Sequence, residues 1–293
     1  MARVCVVGSV NMDSTFAVDA LPRPGETVLA SSAIQAPGGK GGNQAVAAAR
    51  AGARVEFVGA LGDDAAAERL RAHLLANGVG LRAALSVPGP SGSAVIVVDA
   101  AGENTIVVSP GANGRLSVDE AQARAALTEC DVMLTQLEIP APTALAAARQ
   151  ARSAGAAVVT NASPAGQDEE ALDALAALTD VVIVNERELE QWHWAANHLV
   201  VTLGSRGARY VGTDGDFVVP APAVAAVDTA GAGDVFAGVL AASWPGDAGS
   251  PAGRLRALRR ACAAGALATQ VRGAGGCAPD AEAIESAVRT NGR

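Results

Sequence analysis

Aromatic side chains are scarce in this chain. Phenylalanine, tryptophan and tyrosine make up 3% of its 293 residues, although hydrophobic residues make up 50%. The core must therefore be built from alanine, valine and leucine, and such small residues suit helices packed closely on a parallel sheet. The length allows one large α/β domain or two small ones.

Three further absences narrow the class of protein. No hydrophobic run reaches membrane-spanning length, and residues 1–8 do not resemble a signal peptide. No long basic stripe occurs and the net charge is −8, which argues against nucleic acid as a partner. The four cysteines are far apart and lack metal-ligand spacing: Cys5, Cys130, Cys262 and Cys277. We therefore expect a soluble, cytoplasmic protein with reduced, mostly buried thiols.

Short apolar runs alternate with helical patterns along most of the chain. The runs at residues 4–7, 55–58, 132–137, 157–160, 181–184 and 199–203 are predicted to be strands. Helices are predicted at residues 43–51, 64–77, 140–153 and 169–178, and a capping box of Ser117 and Glu120 is predicted ahead of another. This alternation predicts βαβ crossovers and a mostly parallel sheet.

Two segments interrupt the alternation. Residues 15–35 contain Pro22, Pro24 and Gly25 between short β-like pieces, and residues 93–109 have the pattern of a hairpin. We expect both to form a small β lid, at about residues 12–37 and 91–109, across the ends of the main sheet. An ordinary surface excursion is the alternative, although long loops in compact domains are often functional.

The segment from Asp228 to Asp234 carries the strongest chemical signal. Its small residues Gly231, Ala232 and Gly233 precede an apolar helix, so backbone N–H groups and the helix dipole favour an anion there. A carboxylate in an anion site is electrostatically unfavourable unless it handles a proton or a metal. The segment therefore predicts phosphoryl transfer, with Asp234 as the base.

A second glycine-rich segment occupies residues 37–44, ahead of the predicted helix from residue 43. It is not a Walker loop, because the glycine spacing is wrong and no serine or threonine follows Lys40. Its exposed backbone would lie beside a helix N-terminus, with Lys40 and Asn43 projecting from it. A turn that merely allows close packing is the alternative.

Polar side chains follow several predicted strands, where ligands bind in open α/β sheets. Asn11 and Asp13 follow the first strand and suit vicinal hydroxyls, although they could simply cap a turn; Glu138 follows a later strand. Asn185 and Glu188 could hold a hydrated Mg²⁺ near phosphates, or could form an N-cap with an acidic first turn. Residues 202–207 predict a tight turn that can face a nucleotide.

Taken together, these segments closely resemble the ribokinase-like sugar kinases, the PfkB family. The resemblance extends from residue 8 to residue 273 and includes both family signatures, at residues 38–45 and 228–234. It implies a three-layer α/β/α sandwich with a mostly parallel central sheet and a small β-sheet lid. It also implies ATP-dependent phosphorylation of ribose at O5. A kinase for another pentose or a nucleoside, and a non-catalytic sugar or nucleotide sensor, remain open.

The resemblance also implies roles for individual residues. Asp234 would take the hydroxyl proton, and Gly231, Ala232 and Gly233 would form the anion hole. The sugar would be bound by Asn11, Met12, Asp13, Gly39, Lys40, Gly41, Gly42, Asn43, Glu138 and Asp234. ATP would lie against Asn185, Thr202, Leu203, Gly204, Ser205, Arg206, Gly207, Gly233 and Asp234. Asn185 and Glu188 would be linked to Mg²⁺, and K⁺ would be bound by Asp228, Ala230, Ala268, Val271, Gly273 and Cys277.

Three departures from the family pattern stand out. Cys277 replaces the usual serine oxygen, and sulfur is a poor ligand for a hard cation such as K⁺. Cys262 lies where relatives often place a residue against the adenine. The crossover at residues 185–199 is short, near the ten or so residues that a βαβ crossover needs.

An exposed lid edge predicts a homodimer joined through the lids.

Overall fold

The fold is an α/β sandwich with a second, smaller sheet; the computed structural model describes residues 1–164, 168–247 and 249–291. The strands, in chain order, are β1 (Arg3–Val7), β2 (Asn11–Ala17), β3 (Ser32–Gly38), β4 (Arg54–Val58), β5 (Ala60–Leu61), β6 (Val79–Gly80), β7 (Leu85–Ser86), β8 (Gly92–Val98), β9 (Asn104–Ser109), β10 (Val132–Gln136), β11 (Ala157–Asn161), β12 (Val181–Asn185), β13 (His198–Thr202), β14 (Ala208–Gly212) and β15 (Gly215–Val219). The helices are α1 (Lys40–Arg50), α2 (Ala65–Ala76), α3 (Ala121–Glu129), α4 (Ala141–Ser153), α5 (Glu169–Ala176), α6 (Glu186–Leu189), α7 (Ala232–Asp247), α8 (Pro251–Ala268) and α9 (Ala281–Asn291).

The main sheet has nine strands in the spatial order β15-β14-β13-β12-β11-β10-β1-β4-β6. Seven neighbouring strands of this sheet pair in parallel, as the alternation of strands and helices predicts: β6, β4, β1, β10, β11, β12 and β13. All six predicted runs are strands of this sheet. The antiparallel hairpin of β14 and β15 extends it at one edge and was not predicted.

Helices cover both faces of the sheet, which confirms the three-layer sandwich. One core cluster contains residues of α1, α2, α7, α8 and α9, and the other contains residues of α3, α4 and α5. Small side chains allow close packing between these elements. A Cβ built onto Gly238 of α7 would lie 2.4 Å from the carbonyl oxygen of Gln44 in α1, so only glycine permits this approach.

The second sheet has the order β3-β2-β8-β9 and contains the two segments predicted to form a lid. Its strands β8 and β9 form the predicted antiparallel hairpin, whereas β2 and β8 pair in parallel, so the sheet is mixed. It is tied directly to the main sheet, because β2 follows β1 and β3 leads into α1. Its function as a lid stays a prediction.

Two local predictions are wrong. Helix α1 begins at Lys40 rather than at residue 43, because Gly39, with φ of 85°, redirects the chain at the N-cap. The Ser117–Glu120 capping box does not form: Ser117 Oγ instead donates to Asp119, and Glu120 itself is the N-cap residue of α3. The short crossover is confirmed, since α6 has only four residues.

All four cysteines are buried and free, as the sequence predicts. Within the described ranges, we find no helix whose length and hydrophobicity would let it cross a bilayer.

Candidate active site

Polar side chains converge where β1, β10 and β11 end and where α1 and α7 begin. Carboxyl ends of parallel strands share one edge of the sheet, so groups far apart in sequence meet there. This edge brings together Asn43 and Asp234, which are 191 positions apart. Asn185 and residues 202–207 lie at the ends of β12 and β13, on the same edge.

Asp234 lies in the first turn of α7 and is 9% exposed. Its Oδ2 accepts a hydrogen bond from Asn43 Nδ2, and its Oδ1 accepts one from Gln44 Nε2, each over 3.0 Å. Two side-chain amides therefore fix the orientation of the carboxylate. Each oxygen retains a further lone pair that can accept a proton from a substrate hydroxyl.

The loop before α7 and the first turn of this helix contain the residues predicted to form the anion hole. Gly231 has φ of 78°, and a Cβ built there would lie 2.7 Å from the Cα of Ala274. By contrast, a Cβ built onto Gly233 meets no atom within 4 Å, so the space beside that backbone is open. The first N–H groups of a helix have no intrahelical acceptor. Here the Ala232 N–H donates to the Thr229 carbonyl over 3.3 Å, whereas the space beside Gly233 is open. A phosphoryl group fits this arrangement.

Asn11 is held by a residue that the sequence analysis missed. Asn113, 1% exposed in the 3₁₀ turn Gly111–Arg115, donates through Nδ2 to Asn11 Oδ1 over 2.8 Å. The same amide also pairs with the backbone N–H and C=O of Val10. A Cβ on Gly92 would lie 2.1 Å from Asn113 Nδ2, so Gly92 provides the space. In the sequence, the only indication of this role of Asn113 is its place in a glycine-rich turn after the hairpin.

Asp13 has an unusual environment. Its Oδ1 is buried without a hydrogen-bond partner among the described residues. Burial, and then the charges of Glu138 and Asp234, raise the pKa of the Asp13 carboxyl to about 7. A buried acceptor without a donor is destabilising. Sugar hydroxyls would supply the missing donors, so the group fits a polyhydroxylated ligand.

Glu138 and Lys40 form the charged part of the same edge. Glu138 accepts hydrogen bonds from Ser9 Oγ over 2.6 Å and from the Lys40 backbone N–H over 3.2 Å. Burial alone lowers the pKa of the Lys40 ammonium, but nearby carboxylates raise it above its ordinary value. These carboxylates are, in decreasing order of effect, Asp234, Glu138 and Glu188. The charge of Lys40 therefore acts on both the predicted sugar side and the predicted ATP side.

The glycines of the 37–44 segment bring backbone close to backbone. A Cβ on Gly39 or on Gly41 would lie 2.7 Å from the backbone nitrogen of Asn11 or of Ser9, respectively. Gly42 packs less tightly, with the nearest atom of Val10 at 3.2 Å. Met12 differs from the other predicted sugar-binding residues, because its side chain belongs to the hydrophobic core.

Asn185 and Glu188 form a reciprocal capping box at α6. Asn185 Oδ1 accepts from the Glu188 backbone N–H over 2.8 Å, and Glu188 Oε2 accepts from the Asn185 backbone N–H over 2.9 Å. The helix-capping alternative from the sequence is thus realised. Asn185 is exposed and Glu188 is half-buried, so oxygens not used in the capping box can still meet a hydrated Mg²⁺.

The predicted nucleotide turn begins at the end of β13. Thr202 Oγ1 donates to the Val184 carbonyl, and residues Gly204–Arg206 form a 3₁₀ turn. Leu203 N–H donates to the Gly207 carbonyl, which closes the turn. Ser205 and Arg206 are exposed, and Arg206 pairs with Glu186 over 2.5 Å. The turn therefore adjoins α6 beside the capping box.

The residues predicted to bind K⁺ surround the loop before α7. Asp228 accepts from the backbone N–H groups of Ala230 and Gly273, over 2.9 and 2.8 Å. The Cys277 thiol lies 3.8 Å from the Ala230 carbonyl oxygen, and burial raises the pKa of that thiol to about 11. Ala268 ends α8 and is buried, whereas Val271 is exposed. Backbone carbonyls suit K⁺, but a protonated thiol does not.

A model of the pfkB family carbohydrate kinases matches residues 1–281. The chain belongs to this family. It is accordingly a phosphotransferase, which confirms the enzyme class that the resemblance predicts.

Relatives of this carbohydrate kinase include several ribokinases. It is 36% identical to the ribokinase of Bacillus subtilis over 248 residues, which cover 80% of this chain and 83% of that protein. It is 34% identical to a Salmonella typhi deoxyribokinase over 260 residues, covering 81% and 84% of the two chains. A bifunctional ribokinase/ribose-5-phosphate isomerase A of Fructilactobacillus sanfranciscensis is 32% identical over 306 residues; the match covers 97% of this chain but only 56% of that protein.

Solved structures agree with the fold. The structure of Arabidopsis thaliana ribokinase complexed with ribose and ATP has a TM-score of 0.87 and 28% identity, covering 98% of this chain and 99% of that one. Similarity over almost the full length of both chains confirms the three-layer fold with its small second sheet.

Proposed function

We propose that this kinase transfers the γ-phosphoryl group of ATP to O5 of D-ribose, with Asp234 as the general base. The observation that carries the proposal is the position of Asp234, which is buried between two amide donors at the open N-terminus of α7. Relatives named ribokinase, and the structural neighbour that contains ribose and ATP, support ribose and ATP as the substrates.

The sugar side of the reaction depends on groups from β2, from α1 and from the loop after β10. Asn11, Asp13, Asn43 and Glu138 would bind the sugar hydroxyls and orient O5 towards Asp234. As O5 attacks the γ-phosphorus, its proton passes to Asp234, the new O–P bond forms, and the bond to the bridging oxygen breaks to release ADP. Positioning and electrostatic stabilisation supply most of the rate in such transfers.

The phosphate side depends mainly on backbone groups. The N–H groups at Gly231, Ala232 and Gly233 would stabilise charge on the transferring oxygens without adding a competing cation. Asn185, Glu188 and the turn at residues 202–207 would border ATP. Bound Mg²⁺ would neutralise phosphate charge, and K⁺ at the Asp228 loop would hold the anion hole in shape.

The second sheet would act as a lid over the sugar. Closure would exclude water, which otherwise competes with the sugar for the phosphoryl group. Exposed apolar side chains on β8 and β9 support pairing of two lids in a homodimer. Four free, buried thiols fit a reducing compartment such as the cytoplasm.

Deoxyribose is the strongest alternative acceptor. The deoxyribokinase relative is almost as similar to this chain as the ribokinase relatives are. Asp13 with its unpaired buried oxygen favours a sugar that supplies the most hydroxyl donors, which is ribose. A nucleoside remains a less favoured acceptor, because no contact of the described site selects a base.

The deciding experiment measures ATP consumption with ribose, deoxyribose, fructose and nucleosides, each with and without K⁺. We expect the highest kcat/KM with ribose. A higher kcat/KM with deoxyribose would identify deoxyribose as the preferred acceptor. If none of the sugars increased ATP consumption, kinase activity on these sugars would be contradicted. NMR of the phosphorylated product would establish O5 as the acceptor atom.

A further inference from the structure

A chain of three buried side-chain amides lies behind Asp234. Gln44 of α1, Gln136 at the end of β10 and Asn161 at the end of β11 are at most 8% exposed. Gln44 Nε2 donates to Asp234 Oδ1 over 3.0 Å and to Asn161 Oδ1 over 2.9 Å. Gln136 Nε2 donates to Gln44 Oε1 over 2.7 Å. Three elements of the fold are thereby connected to one carboxylate.

These contacts allow only one orientation for the Gln44 amide. An ionised carboxylate can only accept hydrogen bonds, so the nitrogen of Gln44 must face Asp234. Asn161 Nδ2 is used by the Ile183 carbonyl, which turns Asn161 Oδ1 towards Gln44. Both hydrogens of Gln44 Nε2 are therefore used, and its oxygen accepts from Gln136. Rotating Gln44 would break all three bonds at once.

The chain of amides includes one destabilising feature. Gln136 Oε1 is buried without a hydrogen-bond partner among the described residues, and an unpaired buried oxygen is destabilising. A Cβ on Gly8 would lie 1.9 Å from that atom, so the backbone directly after β1 also leaves space for Gln136. A leucine would fill the position without an unpaired oxygen. The hydrogen bond that Gln136 donates to Gln44 offsets the cost of the unpaired oxygen.

We propose that Gln44 is a positioning residue, which holds the carboxylate of Asp234 in the orientation that receives the sugar proton, with Gln136 and Asn161 fixing Gln44 in turn. The inference rests on the proposed role of Asp234. Gln44 differs from Asn43, which belongs to the set of residues predicted to bind the sugar. Gln44 is fully buried, so its hydrogen bond to Asp234 persists whether or not sugar is bound.

Four variants test this role. In Gln44→Leu, Asp234 loses one of its two donors, and we expect kcat with ribose to fall by about 10²-fold, the scale of a 1 Å misplacement. KM for ATP should change by less than about twofold, since binding energy common to ground and transition states is kept. Gln136→Leu, which acts only through Gln44, should lower kcat in the same direction by a smaller factor. Gln150→Leu, at a half-buried glutamine on α4, is the control and should leave kcat unchanged.

Gln44→Glu separates positioning from stability. The new carboxyl can donate to Asp234 only while it is protonated, and once ionised it repels Asp234. The kcat of this variant should therefore match that of the wild type at low pH. As pH rises, it should fall below the wild-type kcat. Circular dichroism at each pH would restrict the comparison to folded protein. This variant also keeps the test decisive if Gln44→Leu does not fold.

The outcomes distinguish this inference from the proposed function. If the wild type phosphorylates no sugar, or if Asp234→Asn keeps its kcat, the role of Asp234 is wrong and the inference falls with it. If those two behave as expected but folded Gln44→Glu shows wild-type kcat and a wild-type pH profile, only the role of Gln44 is wrong. A lowered melting temperature with unchanged kcat would likewise reduce Gln44 to a structural residue.

Discussion

Asn43 Nδ2 donates a hydrogen bond to Asp234 Oδ2 over 3.0 Å, which connects the first turn of α1 with the first turn of α7. One side chain belongs to the glycine-rich segment predicted to bind the sugar, and the other to the segment predicted to transfer the phosphoryl group. A sugar that contacts Asn43 must therefore lie against Asp234. The two halves of the proposed reaction meet at this bond.

The first prediction concerns the pH dependence of ribose binding. Asp13 has a pKa of about 7, above its ordinary 3.8, so it loses its proton near neutrality. An ionised carboxylate accepts stronger hydrogen bonds from hydroxyl groups than a protonated one does. We expect the affinity for ribose to rise between about pH 6 and about pH 8, measured by calorimetry. Asp13→Asn should bind more weakly and lose this dependence; an unchanged pH profile in that variant would contradict the role of Asp13.

The same group should act on stability in the opposite direction. Because the folded protein holds the Asp13 proton more tightly than the unfolded chain does, its contribution to the free energy of unfolding is fully present below the ordinary pKa of 3.8. That contribution is lost as pH rises to about 7. Urea denaturation of wild type and Asp13→Asn over this range would show the difference.

The second prediction concerns the monovalent cation. Since the thiol of Cys277 is a poor ligand for K⁺, we expect Cys277→Ser to lower the K⁺ concentration that gives half-maximal activation. Cys262→Ser, at another buried cysteine whose thiol contacts the Val219 carbonyl, is the matched control and should leave this concentration unchanged. Equal K⁺ dependence of wild type and Cys277→Ser would mean that position 277 does not contact the ion.

The third prediction separates the two roles of Glu188. Glutamine can still accept a hydrogen bond from the Asn185 backbone, so Glu188→Gln preserves the capping box but removes the charge. If Glu188 is linked to Mg²⁺, kcat/KM for MgATP should fall by about tenfold or more, while the melting temperature stays within a few degrees. Unchanged kinetics would leave Glu188 as a helix cap alone.

The fourth prediction concerns assembly. Ile106, Val107 and Val108 of β9 are 44–64% exposed on an edge strand. We expect the wild type to sediment as a dimer and Ile106→Asp/Val108→Asp to sediment as a monomer, because buried charge opposes lid pairing. Val218→Asp, on the exposed edge strand β15, is the control and should remain dimeric. A monomeric wild type would refute the lid-paired dimer.

Regular elements could be predicted from the sequence because their signals are local. Apolar runs such as residues 181–184 directly predict buried parallel strands, and Gly78 marks the end of α2 with φ of 76°. The antiparallel hairpin of β14 and β15 lacks a continuous apolar run, because the exposed residues Arg209 and Asp216 interrupt its strands.

Contacts between distant residues could not be predicted from the sequence in the same way. Asn113 holds Asn11 from 102 positions away, and its local sequence indicates only a turn. The amides behind Asp234 come from three separate elements, so no spacing rule connects them. At α6 the local sequence is ambiguous instead, because Asn185 and Glu188 fit both a helix capping box and a predicted Mg²⁺-linked pair.

The most direct test of the account is the turnover of Asp234→Asn with ribose and MgATP. Asparagine keeps the size of the side chain and its oxygen can accept from one of the two donors, Gln44 or Asn43, but its amide cannot accept the O5 proton. We predict that ribose binding survives while kcat falls by at least about 10²-fold, the usual scale for loss of a general base. Turnover close to that of the wild type would contradict the assignment of Asp234 as the base.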